Sequence, residues 1–353
     1  AGTFLKISPS TCGVRFLFAH CKVARLAAAR HNHAMEACLS HEAALRWLLG
    51  NPNPLATGRG HACAEAPLSQ APTVAQAREL ARLTGLESLD VLVSSKAATR
   101  KTALLRTHLD ARSLPAGSLI RVGGFSVCSP ELVFLQMAAT HDLIDTIRCG
   151  YALCSRYRLD NGTRGGVAVR KAPDAPLTSR DRLERYLEAS TGAKGVVRAR
   201  RALRHVLDNS FSPMESGIAM CLSMPLNLGG HALGEVCLNP ELKVRTGTDA
   251  DGRRLYETRR PDLLVSHRAG NGTQRRVAID VDATSTHATT RDLAHDAARR
   301  NELQSSLDMP HLTITGRQAT DYVAFSRFVD LVRLALGQRR KDFSRGGGER
   351  DRT

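Results

Sequence analysis

The chain has 353 residues, of which 42% are hydrophobic and 24% are charged, so it holds enough apolar residues for about two folded domains. This composition excludes an intrinsically disordered chain and a single small module. Lysine and arginine (50 residues) outweigh the acidic residues (34), and the formal net charge of +16 favours a polyanionic partner. A GC-rich genome, which encodes arginine throughout its proteins, would give the same composition without a nucleic-acid surface, so the charge alone leaves both explanations open.

Two residue classes narrow the function further. Aromatic residues make up only 4% of the chain, which disfavours single-strand and RNA binding by base stacking and offers little for stacking sugars in a glycosidase. The nine cysteines include no Cys-x-x-Cys pair, which argues against a zinc finger, and their odd number argues against a complete disulfide framework. We therefore expect reduced thiols and a cytoplasmic location. No run of 18 apolar residues occurs, so no membrane partner is expected.

The first half of the sequence alternates short helix and strand patterns. A serine cap before a leucine-faced segment predicts a helix at 40–49, and Ser129 followed by Pro130 begins another. The other predicted elements of this half are helices at 74–85 and 141–154 and strands at 89–94 and 118–122. We therefore expect strands with flanking helices.

A basic amphipathic helix is predicted at 196–209, after another helix at 178–190. A stripe of valine and leucine alternates there with arginines. Arg201 and Arg204 are the candidate contacts of this helix with a nucleic-acid backbone. A solvated face on an arginine-rich protein explains the same pattern, and it is the simpler explanation for this helix taken alone.

From residue 212 onward the pattern predicts a second α/β arrangement. Its predicted elements, in chain order, are a helix from Ser212, strands at 241–246, 255–267 and 277–282, a helix at 290–307, a strand at 311–315 and a helix at 319–336. The order is therefore a helix, a three-strand meander, a helix, a strand and a helix.

Three aspartates of this region lie where acids are costly. Asp280 and Asp282 are two residues apart in an apolar strand, so both side chains are predicted on one face. A nearly buried negative face is unfavourable unless a cation lies there. Asp262 lies on the preceding strand, within cross-strand reach of Asp280. Oxygen ligands on neighbouring strands are typical of a site for Mg²⁺ or Mn²⁺.

These residues fall in a recognisable order, in which a helix acid precedes a strand aspartate, an acid-x-Asp pair on the next strand and a histidine. The positions are Glu215, Asp262, Asp280, Asp282 and His287. With them the segment 212–318 resembles the restriction-endonuclease-like (PD-(D/E)XK) superfamily, most closely bacterial proteins related to very-short-patch-repair (Vsr) endonucleases. Two positions depart from the family pattern, since glutamate is more usual where Asp280 stands and Asp282 occupies the place of the family's lysine.

The resemblance implies an α/β fold with an αβββαβα core and a site that hydrolyses DNA. It implies that Asp262 and Asp280, with Glu215 directly or through water, hold one or two Mg²⁺ ions. It also implies that Asp282 belongs to the catalytic set and that His287 moves a proton. The next helix would bring Arg299 and Arg300 to a phosphate.

Each of these residues also has a plain structural explanation. Glu215 completes a capping box that starts at Ser212, and Asp262 after Pro261 fits a turn. An edge strand with one exposed face would tolerate Asp280 and Asp282. A surface position would explain His287, Arg299 and Arg300 equally well.

The region 40–157 is similar in layout to AbiEi-like antitoxin proteins. Four parts of the sequence carry this similarity, namely Ser40 to Leu45, Asp90 to Ser94, His108, and Val127 to Leu132. It implies a helical and small α/β module that precedes the nuclease-like part. The expected organisation is a basic extension at 1–37, the antitoxin-like module at 38–160, a helical linker region at 161–209, the nuclease-like domain at 210–337 and a basic flexible tail at 338–353.

Two functions from different classes follow. The first is a Mg²⁺-dependent endonuclease acting on DNA, recruited by the N-terminal module. The alternative is a DNA-binding regulator or antitoxin-like protein whose nuclease fold is catalytically degenerate. Replacement of Asp280 by asparagine separates them, because it should abolish metal-dependent nicking only under the first. A homodimer is compatible with either function.

Overall fold

The computed structural model describes residues 37–52, 54–55, 70–163, 165–171, 175–248, 251–282 and 309–339. Over these residues the chain has a mixed α/β fold and divides into two compact units, with the division between Ser216 and Gly217. None of the described helices is both long enough and apolar enough to cross a membrane.

The first unit contains a five-stranded sheet with the strand order β3-β2-β1-β5-β4. Its strands are β1 (Cys38–Leu39), β2 (Leu89–Val93), β3 (Leu105–Leu109), β4 (Leu119–Val122) and β5 (Phe125–Cys128). The pairs β2–β3 and β1–β5 are parallel, whereas β1–β2 and β4–β5 are antiparallel. The short central strand β1 thus joins a parallel half of the sheet to a hairpin.

Six helices accompany this sheet, together with a hairpin formed by β6 (Tyr157–Leu159) and β7 (Val167–Val169). The helices are α1 (His41–Gly50), α2 (Val74–Thr84), α3 (Pro130–Thr140), α4 (Leu143–Leu153), α5 (Arg180–Ala189) and α6 (Val196–Leu203). Helix α3 begins as predicted, because the Ser129 side chain accepts a hydrogen bond from Leu132 N and Pro130 occupies the first turn. It is buried along almost its whole length and packs against α1, α4 and α6, so the core of this unit surrounds it.

The second unit is built on a four-stranded sheet with the order β13-β12-β11-β8. Its strands are β8 (Glu235–Leu238), β11 (Leu263–Arg268), β12 (Gln274–Asp282) and β13 (His311–Thr315), and its helices are α7 (Pro213–Ser223), which starts in the first unit, α8 (Gly316–Thr320) and α9 (Tyr322–Ala335). Strands β8, β11 and β12 form an antiparallel meander, and β13 pairs parallel with β12. The helix predicted at 290–307 lies outside the described residues.

The meander differs from the prediction at its first strand. The predicted strand at 241–246 corresponds to β9 (Leu242–Thr248), which pairs with β10 (Arg254–Arg259) in a separate two-stranded sheet. Strand β8 takes the expected place in the main sheet. The predicted strand at 255–267 is two strands, because Pro261 has no N–H to donate to a ladder and separates β10 from β11.

The two faces of the main sheet are different in character. The register places Leu263, Val265, Val277 and Ile279 on one face, and all four side chains are fully buried. Helix α9 packs on β12. Removal of each such side chain from water contributes about 1.5 to 3 kcal/mol, so this face holds the sheet in place. The opposite face carries the polar residues of the candidate site.

Candidate functional site

Asp262 and Asp280, called here the acid pair, lie side by side where the β11–β12 ladder ends. Leu263 pairs with Ile279, so the next position along each strand sets Asp262 opposite Asp280. Val281 N donates to Asp262 Oδ2 at 2.7 Å, and Asp262 N lies 3.4 Å from Asp280 Oδ1, at the long end of hydrogen-bond range. Each carboxylate therefore contacts the backbone of the strand that carries the other, which fixes both side chains at the same end of the sheet.

The face that carries the acid pair is lined with oxygen-bearing side chains. Asp282 lies two residues after Asp280 on β12, so it projects from the same face, and both residues are partly exposed. On the parallel neighbour β13, Thr313 pairs with Asp280 and Thr315 pairs with Asp282. These four positions of β12 and β13 therefore present carboxylate and hydroxyl groups, and none of them carries a basic side chain.

His311 is a member of the site that the sequence analysis missed. It is the first residue of β13, its side chain is only 2% exposed, and its Nε2 lies 3.2 Å from Asp280 Oδ2. The contact is within ion-pair distance, but its geometry is not that of a hydrogen bond, and Nε2 has no hydrogen-bond partner in the described part of the chain. The signal in the sequence was weak, because a histidine at the start of an apolar strand is found only when the parallel partner of that strand is known.

The donor chemistry of the acid pair suits a hard divalent cation. Two adjacent carboxylates repel each other in a partly buried site, and a cation between them removes the repulsion. Across the residues that the structure describes, no group of three or more His, Cys, Asp or Glu side chains is arranged to hold a metal ion. Two carboxylates are nevertheless sufficient for Mg²⁺, which usually keeps several waters and takes one or two carboxylates together with phosphate oxygens of a substrate.

Glu215 acts in the cap of helix α7. Glu215 N donates to Ser212 Oγ at 3.1 Å, and Phe211 N donates to Glu215 Oε2 at 2.9 Å. The residue is buried, and it belongs to the first compact unit whereas the acid pair belongs to the second. These contacts account for a glutamate at this position by capping alone, and a role for Glu215 in metal binding stays a prediction.

The remaining predicted site residues either belong to the first unit or fall outside the residues that the structure describes. His287, Arg299 and Arg300 fall within 283–308, outside the described residues. Arg201 lies in helix α6 and Arg204 follows that helix directly, and both are exposed in the first unit. The structure thus brings Asp262 and Asp280 together, adds His311 and places Asp282 on the same face.

A second polar cluster, formed by His41, Asp90 and His108 and called here the histidine cluster, lies in the first unit. His108 Nε2 and Asp90 Oδ1 are 2.7 Å apart, and Ala43 N donates to Asp90 Oδ2 at 3.3 Å. The rings of His41 and His108 stack with their centroids 3.7 Å apart. These residues belong to the stretches that carry the antitoxin-like resemblance, and their contacts connect the start of α1 to the strand pair β2–β3.

Electrostatics shift the pKa of two members of the histidine cluster, His41 and Asp90. Burial, and next the neighbouring His108, lower the pKa of His41 from 6.5 to about 3, so this ring is neutral. Burial raises the pKa of Asp90, but the hydrogen bond and charge of His108, together with His41 and the Ala43 N–H, outweigh it, so the pKa of Asp90 is lowered overall. The His41 backbone has a φ of +48° and its N–H donates to Gln136 Oε1 at 2.9 Å, so tertiary contacts hold this unusual conformation.

Comparisons of the chain with family models, with curated proteins and with solved structures gave no match. The candidate site is therefore defined by its own geometry. That geometry consists of two carboxylates from neighbouring antiparallel strands, a third carboxylate on the same face and a buried histidine on the next strand.

Proposed function

We propose that the chain is a metal-dependent endonuclease that hydrolyses DNA phosphodiester bonds, with Asp262 and Asp280 as its metal ligands. The observation that carries this proposal is the acid pair, in which two carboxylates are fixed side by side by contacts to backbone N–H groups. A pair of like charges in a partly buried position is unfavourable by itself, and such arrangements are concentrated at functional sites.

The topology of the second unit supports the same function. In chain order it has a helix, three antiparallel strands of one sheet and a fourth strand parallel to the third. These described elements are compatible with the αβββαβα core that the sequence resembles, with the β9–β10 hairpin between its first two strands, and the helix expected between its third and fourth strands lies outside the described residues. The acid pair lies where the second and third strands of this core end together.

The side chains of the site have separate roles in the proposed reaction. Bound Mg²⁺ or Mn²⁺ would lower the pKa of a bound water and offset the negative charge that develops on the phosphoryl oxygens. Val281 N orients the carboxylate of Asp262, and Asp262 N with His311 orients that of Asp280. Asp282 adds a third carboxylate to the face. The net charge of +16 favours approach of the polyanionic substrate.

A second candidate is a DNA-binding regulator with a catalytically degenerate nuclease fold. The observation that favours it is the assembly of His41, Asp90 and His108 into one cluster, since these residues carry the antitoxin-like resemblance. Under this function the acid pair would contribute nothing to DNA binding.

Nicking of supercoiled plasmid in the presence of Mg²⁺ or Mn²⁺ tests the proposal. Asp280→Asn keeps the size of the side chain and removes its charge, so we expect loss of cleavage by about 100-fold or more with duplex binding retained. Glu235→Gln is the matched control, because Glu235 is an exposed carboxylate on the same face of the sheet. Cleavage by Asp280→Asn at the parental rate, or no metal-dependent cleavage by the parent, would exclude the nuclease and favour the regulator.

A further inference from the structure

The segment 193–206, which contains helix α6, has charged side chains of positive sign only. It contains five cationic side chains and no acidic residue. They are Lys194, Arg198, Arg200, Arg201 and Arg204, and all five are exposed. The opposite side of α6 is apolar and buried, through Val196, Ala199, Ala202 and Leu203. Packing of that apolar side fixes which side of the helix faces the solvent.

Two arginines of α6, Arg198 and Arg200, donate hydrogen bonds, and their acceptors are uncharged. Arg198 Nη1 donates to Ala138 O at 2.8 Å and to His141 O at 2.7 Å, which caps the end of helix α3. Arg200 Nη2 donates to Leu187 O at 2.9 Å. On the adjacent helix α5, by contrast, Arg182 forms an ion pair with Glu131 at 3.2 Å. No carboxylate in the described residues forms an ion pair with an α6 arginine, so their charge is not cancelled.

Three residues of this segment, Val197, Arg201 and Arg204, are spaced by four and three residues, the spacing that places side chains on one side of a helix. Lys194 lies in the turn before the helix and lines the same cleft as Val197 and Arg201. These four exposed residues are called here the cationic stripe. Val197 is 79% exposed in the middle of the stripe.

The stripe borders a cleft of about 460 Å³ between the start of α6 and the junction of α3 with α4. Its lining residues are Ala139, Leu143, Ala193, Lys194, Gly195, Val197, Arg198 and Arg201, among which there is neither an acidic nor an aromatic residue. Gly195 has a φ of +88°, and a Cβ there would lie 2.6 Å from Ala139 N, so only glycine allows the two helices to approach this closely.

The acidic residues nearest to the cleft along the chain are engaged elsewhere. Asp142, the residue before Leu143, accepts a hydrogen bond from Asp145 N at 2.8 Å and so caps its own helix. Asp145 pairs with Arg148 at 3.0 Å. Burial, and next the charges of Arg201 and Arg204, lower the pKa of His205, which is the effect expected beside uncompensated positive charge. The cleft itself is thus lined by three cationic side chains and by no acidic one.

We propose that the cationic stripe and its cleft bind the phosphodiester backbone of duplex DNA. The planar guanidinium groups of Arg201 and Arg204 match phosphate oxygens, and the release of counterions by such contacts drives binding. The cleft lining contains no aromatic side chain on which an unpaired base would stack, which favours a duplex over a single strand. This inference rests on the proposed function for its choice of DNA, and it assigns substrate recruitment to the first unit.

The test measures binding of a labelled DNA duplex of about two helical turns by fluorescence anisotropy. The full chain with Asp280→Asn serves as the parent, so that cleavage does not interfere. The double variant Arg201→Gln, Arg204→Gln removes two cations of the stripe. We expect its affinity to fall at least about tenfold, and the slope of log K against log salt between about 50 and 200 mM NaCl to become shallower by about 2, since each phosphate contact contributes about 0.9.

The matched control is the double variant Arg180→Gln, Arg185→Gln, which removes the same charge from the exposed face of α5. We expect a change of less than about twofold, because these side chains lie outside the cleft. Thermal unfolding of each variant verifies that the exposed substitutions leave the fold intact.

Four outcomes would overturn the inference: parental affinity of the stripe variant, an equal loss in both double variants, tighter stripe-dependent binding of single strands or of duplex RNA, and no binding of DNA by the parent. The proposed function is judged separately. Stripe-dependent duplex binding without any metal-dependent cleavage by the natural chain would exclude the nuclease and retain the stripe. Cleavage that requires Asp280 but is unchanged by the stripe substitutions would retain the nuclease and exclude the stripe as its DNA-binding surface.

Discussion

The histidine cluster and the acid pair place a histidine beside an aspartate in a similar way, but only in the histidine cluster does the histidine form a hydrogen bond with that aspartate. In each, a histidine on one strand contacts an aspartate on the parallel neighbour, two positions away from its direct partner. His108 Nε2 lies 2.7 Å from Asp90 in a hydrogen bond, whereas His311 Nε2 lies 3.2 Å from Asp280 without one. Asp90 faces two rings and a backbone N–H, and Asp280 faces a second carboxylate.

This difference separates a structural cluster from a site with capacity for a ligand. A buried polar group that has all its partners rigidifies the fold. In the acid pair, the buried Nε2 of His311 has no hydrogen-bond partner among the described residues, and two carboxylates of like charge lie side by side. Both features are unfavourable unless a bound ligand supplies the missing interactions. We infer that the first cluster stabilises the chain and that the second performs the chemistry, and substitutions in the two clusters should therefore have opposite effects on stability and on activity.

The largest expected effect is on cleavage by the acid pair. Asp262→Asn should reduce the rate of metal-dependent plasmid nicking by about 100-fold or more, as for Asp280→Asn, because a ligand charge is lost. The free energy of unfolding in the absence of metal should stay within about 1 kcal/mol of the parent, since removal of one of two like charges relieves repulsion. A variant that unfolds much more easily while nicking normally would assign the pair a structural role.

The reverse pattern is expected for the histidine cluster. Asp90→Ala removes the acceptor of His108 and of Ala43 N, and we expect the free energy of unfolding to fall by about 2 to 3 kcal/mol in urea titrations. Nicking at a temperature where the variant is folded should be unchanged. Glu87→Ala, an exposed acid just before the same strand, should change stability by less than about 0.5 kcal/mol. Loss of cleavage in folded Asp90→Ala would contradict the division of roles.

The pH dependence of stability should also originate in the histidine cluster. The unfolded chain protonates His41 as the pH falls through 6.5, whereas the folded chain does so only near pH 3. Stability therefore decreases between these values by up to about 1.4 kcal/mol per pH unit, or about 2 kcal/mol by pH 5. Asparagine tolerates the positive φ at this position, so His41→Asn should remove this contribution. The free energy of unfolding is measured by urea titration at pH 7 and at about pH 5. If it falls by the same amount in the parent and in His41→Asn, the pKa of His41 is not lowered by folding.

The smallest effect is expected at the cap of helix α7. Glu215→Ala should lower the free energy of unfolding by about 1 kcal/mol, because Phe211 N loses its acceptor. Glu215→Gln keeps an acceptor and should restore most of that stability. If Glu215→Gln instead reduces nicking as strongly as Asp280→Asn, its carboxylate is part of the catalytic set.

The sequence was sufficient to predict the acid pair, because two local rules determine it. Alternation along a strand puts Asp280 and Asp282 on one face, and a hairpin of apolar strands puts Asp262 near Asp280. The start of α3 was equally local, with Ser129 as its cap. These features depend on neighbours within a few residues or across one turn.

The features that were missed depend on pairing between distant segments. Strand β8 has only four residues, and its place beside β11 is set by the sheet rather than by its own pattern. His311 meets Asp280 only through the parallel pairing of β12 with β13, which local patterns do not reveal. For Glu215 the sequence allowed both a cap and a metal ligand; the hydrogen bonds of the folded chain show its part in the cap, and its role as a metal ligand stays a prediction.

Calorimetric titration of Mn²⁺ into the full chain examines the acid pair without any substrate. We expect one binding event in the parent that is lost in Asp262→Ala and kept in Asp90→Ala at a temperature where that variant is folded, because only the first removes a ligand carboxylate. Equal heats in the parent and in Asp262→Ala, or no binding by either, would contradict a metal site at Asp262 and Asp280.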